Sequence, residues 1–226
     1  PSLVTLTKRI EETASFELYA ARNGKRLANV EFRQNQLAPK TSFILQRAEI
    51  DHTPLDIFVV DAQNRMLLGR PLITSIIDKH SRCVLGCHIG FEPPSYLSVS
   101  KALRNAILPK EVILSKYPKI QNDWPCHGIP SVLVTDRGKE FESQAFEDAC
   151  MDLNISIQKS PAKHPWYKGA IESHFKTINQ RLLSGMPGSV LSKVQQVADY
   201  DPAKNGVMSL DAFLEAFYLW LVDIYH

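Results

Sequence analysis

The period of the hydrophobic positions changes along the chain. Leu6, Ile10, Ala14 and Leu18 recur every four residues within Thr5–Arg22, the spacing of one helix face. Asn23-Gly24 ends that pattern, where glycine supplies the positive φ of a helix terminus. From Ala48 the runs become β-branched. Ala48–Val60 (interrupted around Pro54), Pro71–Asp78 and Cys83–Phe91 read as three meandering strands, joined by the connection Arg65–Leu68 and the turn Lys79-His80-Ser81. Pro93-Pro94-Ser95 stops the sheet and caps a helix over Tyr96–Leu108. Leu97, Ala102, Leu103, Ala106 and Ile107 give this helix its packed face. Pro109–Pro130 reads as an irregular loop with one helical turn. Ser131–Thr135 is a short apolar strand of the kind buried inside a mixed sheet. A helix over Ser143–Leu153, a strand over Ile155–Lys159, a loop over Pro161–Gly169 and helices over Ala170–Ser184 and Leu210–Tyr225 follow, the last capped by Ser209. The order βββαβαβαα predicts an α/β fold: a mixed five-stranded sheet with helices on both faces.

Three segments result. Residues 1–45 form a helical basic linker or the tail of a DNA-binding module, 46–185 an α/β core, and 186–226 a linker with a C-terminal helix. Hydrophobic residues are 44% and charged residues 22% of 226, a composition that builds a core and excludes a wholly disordered chain. The net charge is only +2, so a nucleic-acid surface must come from local clustering of Lys and Arg. The longest apolar run, Ala216–Val222, is seven residues, against the ~20 needed to span a bilayer, so no membrane partner is expected. The four cysteines (Cys83, Cys87, Cys126, Cys150) are too few and scattered for a disulfide framework. Cys83 and Cys87 suggest half a zinc site, but no second pair follows at finger spacing, and ordinary buried thiols in a reducing, cytoplasmic setting are expected. The chain starts at Pro1 without Met and ends within an apolar helical pattern, as a piece of a longer protein would.

Active residues of an open α/β sheet collect at strand ends and the loops beyond them. Three acids meet that criterion: Asp51 in the first strand, Asp136 at the end of the buried fourth, and Glu172 early in the helix after the Pro161–Gly169 loop. The spacing of Asp136 and Glu172 is uninformative alone; the context carries the reading. An apolar strand does not bury an ionised carboxylate, so Asp136 belongs at a strand-end site. Hard divalent cations take oxygen ligands, and two of them roughly 3.5–4 Å apart can hold the attacking and leaving oxygens of a phosphoryl displacement. Around Glu172 the charge is one-sided: Lys159, Lys163, Lys168, Lys176 and Arg181 accompany it as the only acid of that stretch, interleaved with His164, Trp166, Tyr167 and His174. Basic side chains neutralise phosphates and aromatic rings stack on unpaired bases.

The runs AEIDHT, VTDRGKEF and HPWYKGAIESHFKTINQRL resemble the three catalytic blocks of the DDE transposase and retroviral integrase superfamily, which has the RNase H-like fold. GRPLITSIIDKHSRCVLGCHIGFEPPSY is similar to the TnsB/TniA branch more narrowly, IGFEPPSY most of all. The resemblance covers about Ala48–Gly185. It implies that Asp51, Asp136 and Glu172 are the catalytic, metal-binding triad, holding two Mg²⁺ ions with Mn²⁺ as substitute. It implies DNA transposition by a polynucleotidyl transferase: cleavage at transposon 3′ ends, then attack of the freed 3′-OH on target DNA. Arg137 stands where retroviral integrases usually have Asn, a feature of the TnsB branch that makes it a candidate phosphate contact. Arg137, Lys139, Lys163, His164, Trp166, Lys168, Lys176 and Arg181 are the expected DNA-binding residues. Transposon-end and target DNA, a homo-oligomeric assembly on DNA, an ATPase target-selector and a 5′-end nuclease subunit are the implied partners, in a bacterial, nucleoid-associated setting. Two other readings are another branch of DNA integrases with the same triad, and a DNA-binding assembly module inactive in isolation.

Overall fold

Proline sets the first division of the sheet. β1 (Arg47–Pro54) ends at Pro54, which has no N–H to continue a ladder. The single strand expected over Ala48–Val60 is therefore two: β2 (Val59–Val60) pairs with β3 (Leu67–Gly69) in a separate antiparallel ribbon. The computed structural model describes residues 3–12, 15–31, 40–161, 165–190, 201, 204 and 207–226. It divides into two units, Pro1–Pro39 and Lys40–His226.

In the first unit, α1 (Leu3–Glu12), α2 (Ser15–Asn23) and α3 (Lys25–Glu31) replace the one helix expected over Thr5–Arg22. Gly24, at φ 87°, turns the chain between α2 and α3, a conformation that costs glycine nothing.

In the second unit, β4 (Leu72–Asp78) and β5 (Val84–Gly90) complete the meander. Then come α4 (Tyr96–Ile107), α5 (Glu111–Lys116), β6 (Val132–Thr135), α6 (Gln144–Asp152), β7 (Ser156–Lys159) and α7 (Gly169–Thr177), which runs on as a wider π-helical turn over Ile178–Leu183. α8 (Leu210–Trp220) continues similarly through Leu221–Tyr225. The helix starts follow the expected caps: Ser95 and Ser98 form a reciprocal capping box, and Ser209 Oγ accepts from Ala212 N. The five-stranded sheet has the order β5-β4-β1-β6-β7. β1–β4 and β4–β5 are antiparallel, while β1–β6 and β6–β7 are parallel, so the sheet is mixed as expected.

Strand alternation sorts side chains between two cores. Ala48, Ile50, Ile76, Leu85 and Leu133 pack with Val99 and Ala102 of α4 and Phe146 of α6. Ile73, Ile77, Val84 and Cys87 pack on the other face with Ile171 and Ile178 of the α7 segment and Phe213, Phe217 and Leu221 of the α8 segment. Each fully buried Ile, Leu or Phe contributes about 1.5–3 kcal/mol relative to exposure. Gly86 lets α4 lie directly on β5, because a Cβ there would run into the backbone of Ala106. With Ala48 and Ile50 committed to the α4–α6 core, the pleat sends Glu49 and Asp51 of β1 to the α7 side. That places the acids of this strand beneath α7.

Candidate active site

The β1–β6 pairing runs Arg47↔Val132, Ala48↔Leu133, Glu49↔Val134. Extended by two residues, the same offset brings Asp136, just past β6, level with Asp51. The two carboxylates share one amine: Lys168 Nζ is 2.8 Å from Asp51 Oδ2 and 3.8 Å from Asp136 Oδ2. The other oxygens are held by the backbone. Asp51 Oδ1 accepts from His52 N at 3.0 Å, and Asp136 Oδ1 accepts from Gly138 N at 2.9 Å. Both acids therefore turn Oδ2 into one shared space. Ser75, opposite Asp51 on β4, is fully buried and its Oγ has no hydrogen-bond partner.

Glu172 stands four residues beyond Lys168, on the same helical face. Partial burial first, and then the charges of Asp51 and Glu49, raise its carboxyl above the ordinary glutamate value, with Lys168 opposing them. Glu172 thus lies within the field of Asp51.

What fixes α7 over the sheet is Glu49. Its side chain is fully buried, and Oε2 accepts from Ala170 N at 2.8 Å and Ile171 N at 3.0 Å, the free amides of the helix start. Oε1 meets Lys79 Nζ at 2.8 Å. The loop after Asp136 is held separately by His52. Its Nε2 is 3.0 Å from Glu140 Oε1, its Nδ1 is 3.1 Å from Thr74 Oγ1, and its ring stacks on Phe141 with centroids 5.0 Å apart. Sequence reasoning passed over Glu49, His52 and Glu140. A signal for Glu49 was present: an acid two residues before Asp51 shares its face of the strand and needs a partner there.

The expected DNA contacts divide. Arg137, Lys139, Lys176 and Arg181 are exposed. Lys168 differs from its expected place on a DNA surface: it is 7% exposed with its ammonium on Asp51 and Asp136, because the like charges of two adjacent carboxylates draw a counter-ion between them. Lys163, His164 and the side chain of Trp166 lie outside the described residues.

The donor set suits a hard divalent cation. Three carboxylates come from three separate elements, two of them present an oxygen to the same point, and an ammonium stands in as the positive charge there.

A mixed sheet of this order, covered on both faces and carrying this acidic triad, defines an RNase H-like core of the DDE transposase/integrase class. Residues 49–188 match the family model of the TnsB C-terminal domain, and the chain belongs to that family. The transposon Tn7 transposition protein TnsB of Escherichia coli is 36% identical over 173 residues, 75% of this chain and 24% of that protein. The transposase for transposon Tn552 of Staphylococcus aureus is 34% identical over 142 residues, 63% of this chain and 27% of that protein. The chain thus spans about a quarter of the length of these curated relatives. A chain of the simian T-cell lymphotropic virus intasome in complex with PP2A regulatory subunit B56 gamma has the same fold, with TM-score 0.50 and 14% identity over 96% of this chain and 67% of that one. The family assignment answers the question of branch left open by the triad alone.

Proposed function

We propose that this chain is the catalytic core of a TnsB-like DNA transposase, which cleaves transposon 3′ ends and transfers the 3′-OH into target DNA. The single observation carrying this reading is the convergence of Asp51 and Asp136 on one cationic point beneath the helix that bears Glu172.

Asp51, Asp136 and Glu172 would hold a pair of Mg²⁺ ions, with Mn²⁺ able to substitute. Bound there, such cations supply Lewis-acid activation of the attacking oxygen and stabilisation of the leaving 3′ oxygen. The chain's own residues do the positioning. His52 N and Gly138 N orient the two aspartates by fixing their Oδ1 atoms, which turns both Oδ2 atoms toward the point that the Lys168 ammonium occupies. Glu49 anchors the start of α7 and so sets the height of Glu172 over the sheet. Lys168 neutralises the aspartates in the free protein, a charge-balancing role that bound cations would take over. Arg137, Lys139, Lys176 and Arg181, exposed near or beyond these elements, supply the phosphate contacts; Lys163, His164 and Trp166 are further contacts proposed from the sequence alone.

By its likeness to the transposon proteins above, the whole protein works as a homo-oligomeric assembly on paired transposon ends and target DNA. An ATPase target-selector and a 5′-end nuclease are its protein partners. Its setting is bacterial and nucleoid-associated; no helix among the described residues is long and apolar enough to cross a membrane.

The test is strand joining by the whole transposase on paired transposon-end DNA with Mg²⁺, comparing wild type with Asp51→Asn, Asp136→Asn and Glu172→Gln. Each variant is expected to fold and to lose joining by at least about a thousandfold, since each removes a charge from the cation cage. A variant that joins ends at the wild-type rate removes its residue from the catalytic set.

A further inference from the structure

Cys83, Cys126 and His226 are distant in sequence, yet one ligand atom from each lies within 4.8 Å of the other two. They come from the start of β5, the loop before β6 and the last residue after α8. The group sits beside Asp78, which pairs with Ala48 where β1 begins, and so apart from Asp51 further along that strand.

Several features prepare this cluster for a cation. Both thiols are free and half-buried. The two thiols lie in hydrogen-bond contact with each other. The His226 ring is held in place: its centroid is 5.8 Å from that of Trp124 and 5.6 Å from that of Tyr225, and Nε2 accepts from Val84 N at 3.1 Å. Asp78 is fully buried beside both cysteines, where its negative charge would favour a bound cation. Among the described residues its carboxylate oxygens are engaged by neutral donors, Leu45 N, Ser81 N and Ser81 Oγ. Lys110 opposes it at Cys126, but its ammonium is committed to the carbonyls of Asn105 and Leu108 and lies 5.0 Å over the Trp124 ring.

We propose that Cys83, Cys126 and His226 form a second metal site, for a thiophilic divalent cation such as Zn²⁺, with water in the fourth position. Tetrahedral zinc with two thiolates and an imidazole sets its ligand atoms about 3.5–3.8 Å apart. Reaching that spacing requires a contraction of at most about 1.3 Å, within the reach of side-chain rotation. Loading releases the thiol protons to solvent and costs two hydrogen bonds, the one between the thiols and the one from Val84 N to His226. An imidazole that ligates through one nitrogen carries its proton on the other, so it can no longer accept from Val84 N. The site would clamp the end of α8 to β5 and to the loop before β6. Its sulfur and nitrogen donors select against Mg²⁺, which prefers the oxygen cage at Asp51, Asp136 and Glu172. The two sites therefore sort metals by ligand softness, and this inference stands whether or not the triad is catalytic.

The experiment loads the reduced, chelator-stripped chain with Co²⁺ in the presence of excess Mg²⁺. One equivalent is expected to give a thiolate-to-cobalt charge-transfer band. Zn²⁺ should bleach that band, raise the melting temperature and speed hydrogen exchange at the Val84 amide. The band should be absent from Cys83→Ser/Cys126→Ser, weakened in His226→Gln and unchanged in Asp51→Asn/Asp136→Asn. Circular dichroism of the stripped variants checks that they fold. No band in the reduced wild-type chain, or a band that survives in the double serine variant, overturns the site. A band unaffected by His226→Gln, with no change at Val84, overturns the three-ligand assignment.

Discussion

Replacing Glu49 by alanine tests the claim that one buried carboxylate positions α7. The change strands the Lys79 ammonium, whose side chain is 10% exposed, and the N–H groups of Ala170 and Ile171, both in buried residues. Breaking a buried ion pair from one side costs about 3–5 kcal/mol. An unsatisfied buried N–H costs about 1–3 kcal/mol, though these losses overlap because the amides can partly rehydrate. A net loss of about 3–5 kcal/mol is expected, a large fraction of a typical domain stability of about 5–15 kcal/mol. Glu49→Gln keeps one acceptor for the helix amides but loses the charge and the second oxygen that meets Lys79 Nζ, so its expected loss is about 3 kcal/mol. Adding Lys79→Met to Glu49→Gln should return part of that loss, because the uncompensated ammonium is then gone. Equilibrium urea unfolding of the chain measures all of these, provided the slope with denaturant is unchanged. Strand joining by the whole protein should slow in Glu49→Gln at temperatures where it is folded, because Glu172 rides on the same helix. A loss below about 1 kcal/mol for Glu49→Ala would show that α7 is held by its apolar face alone.

Further outcomes are expected at Lys168, at the exposed bases and at His174. Lys168→Met should lower the stability of the cation-free chain by about 1 kcal/mol, the modest figure reflecting a half-exposed Asp136. The same variant should gain more melting temperature from Mn²⁺ than wild type, and should leave the salt dependence of DNA binding unchanged, whereas Arg137→Ala or Lys176→Ala should lower that slope by about one. A shallower slope for Lys168→Met would return Lys168 to the DNA surface. Burial holds the imidazole of His174 down to about 3, and both ring nitrogens lack partners. The folded state keeps His174 neutral while the unfolded chain binds a proton below the ordinary value of about 6.5. Its stabilising contribution is therefore complete above about pH 6.5 and is lost as pH falls towards about 3. Between pH 7 and 5 this amounts to about 2 kcal/mol, and His174→Leu should remove that share of the acid sensitivity in urea titrations. An identical pH dependence in the variant would refute the assignment to His174.

Much of the core was legible in the chain because its cues are local. β-branched runs, Ser95, Ser209 and the glycines act on near neighbours, so the five strands of the main sheet and the helix starts between them follow from short-range preference, apart from the split of the first strand at Pro54 and the added short elements. The family blocks around Asp51, Asp136 and Glu172 likewise pointed to chemistry before geometry did. Tertiary structure decided the rest, because it depends on which distant segments meet. Only the parallel register of β1 and β6 brings Asp136 level with Asp51. Only α7 lying over β1 turns Lys168 from a presumed surface base into the counter-ion of both aspartates. Glu49 acquires its role from amides more than a hundred residues away, and Cys83 finds Cys126 and His226 rather than nearby Cys87. Period and propensity encode what each segment becomes; charge pairing and ligand geometry arise only after folding brings the segments together.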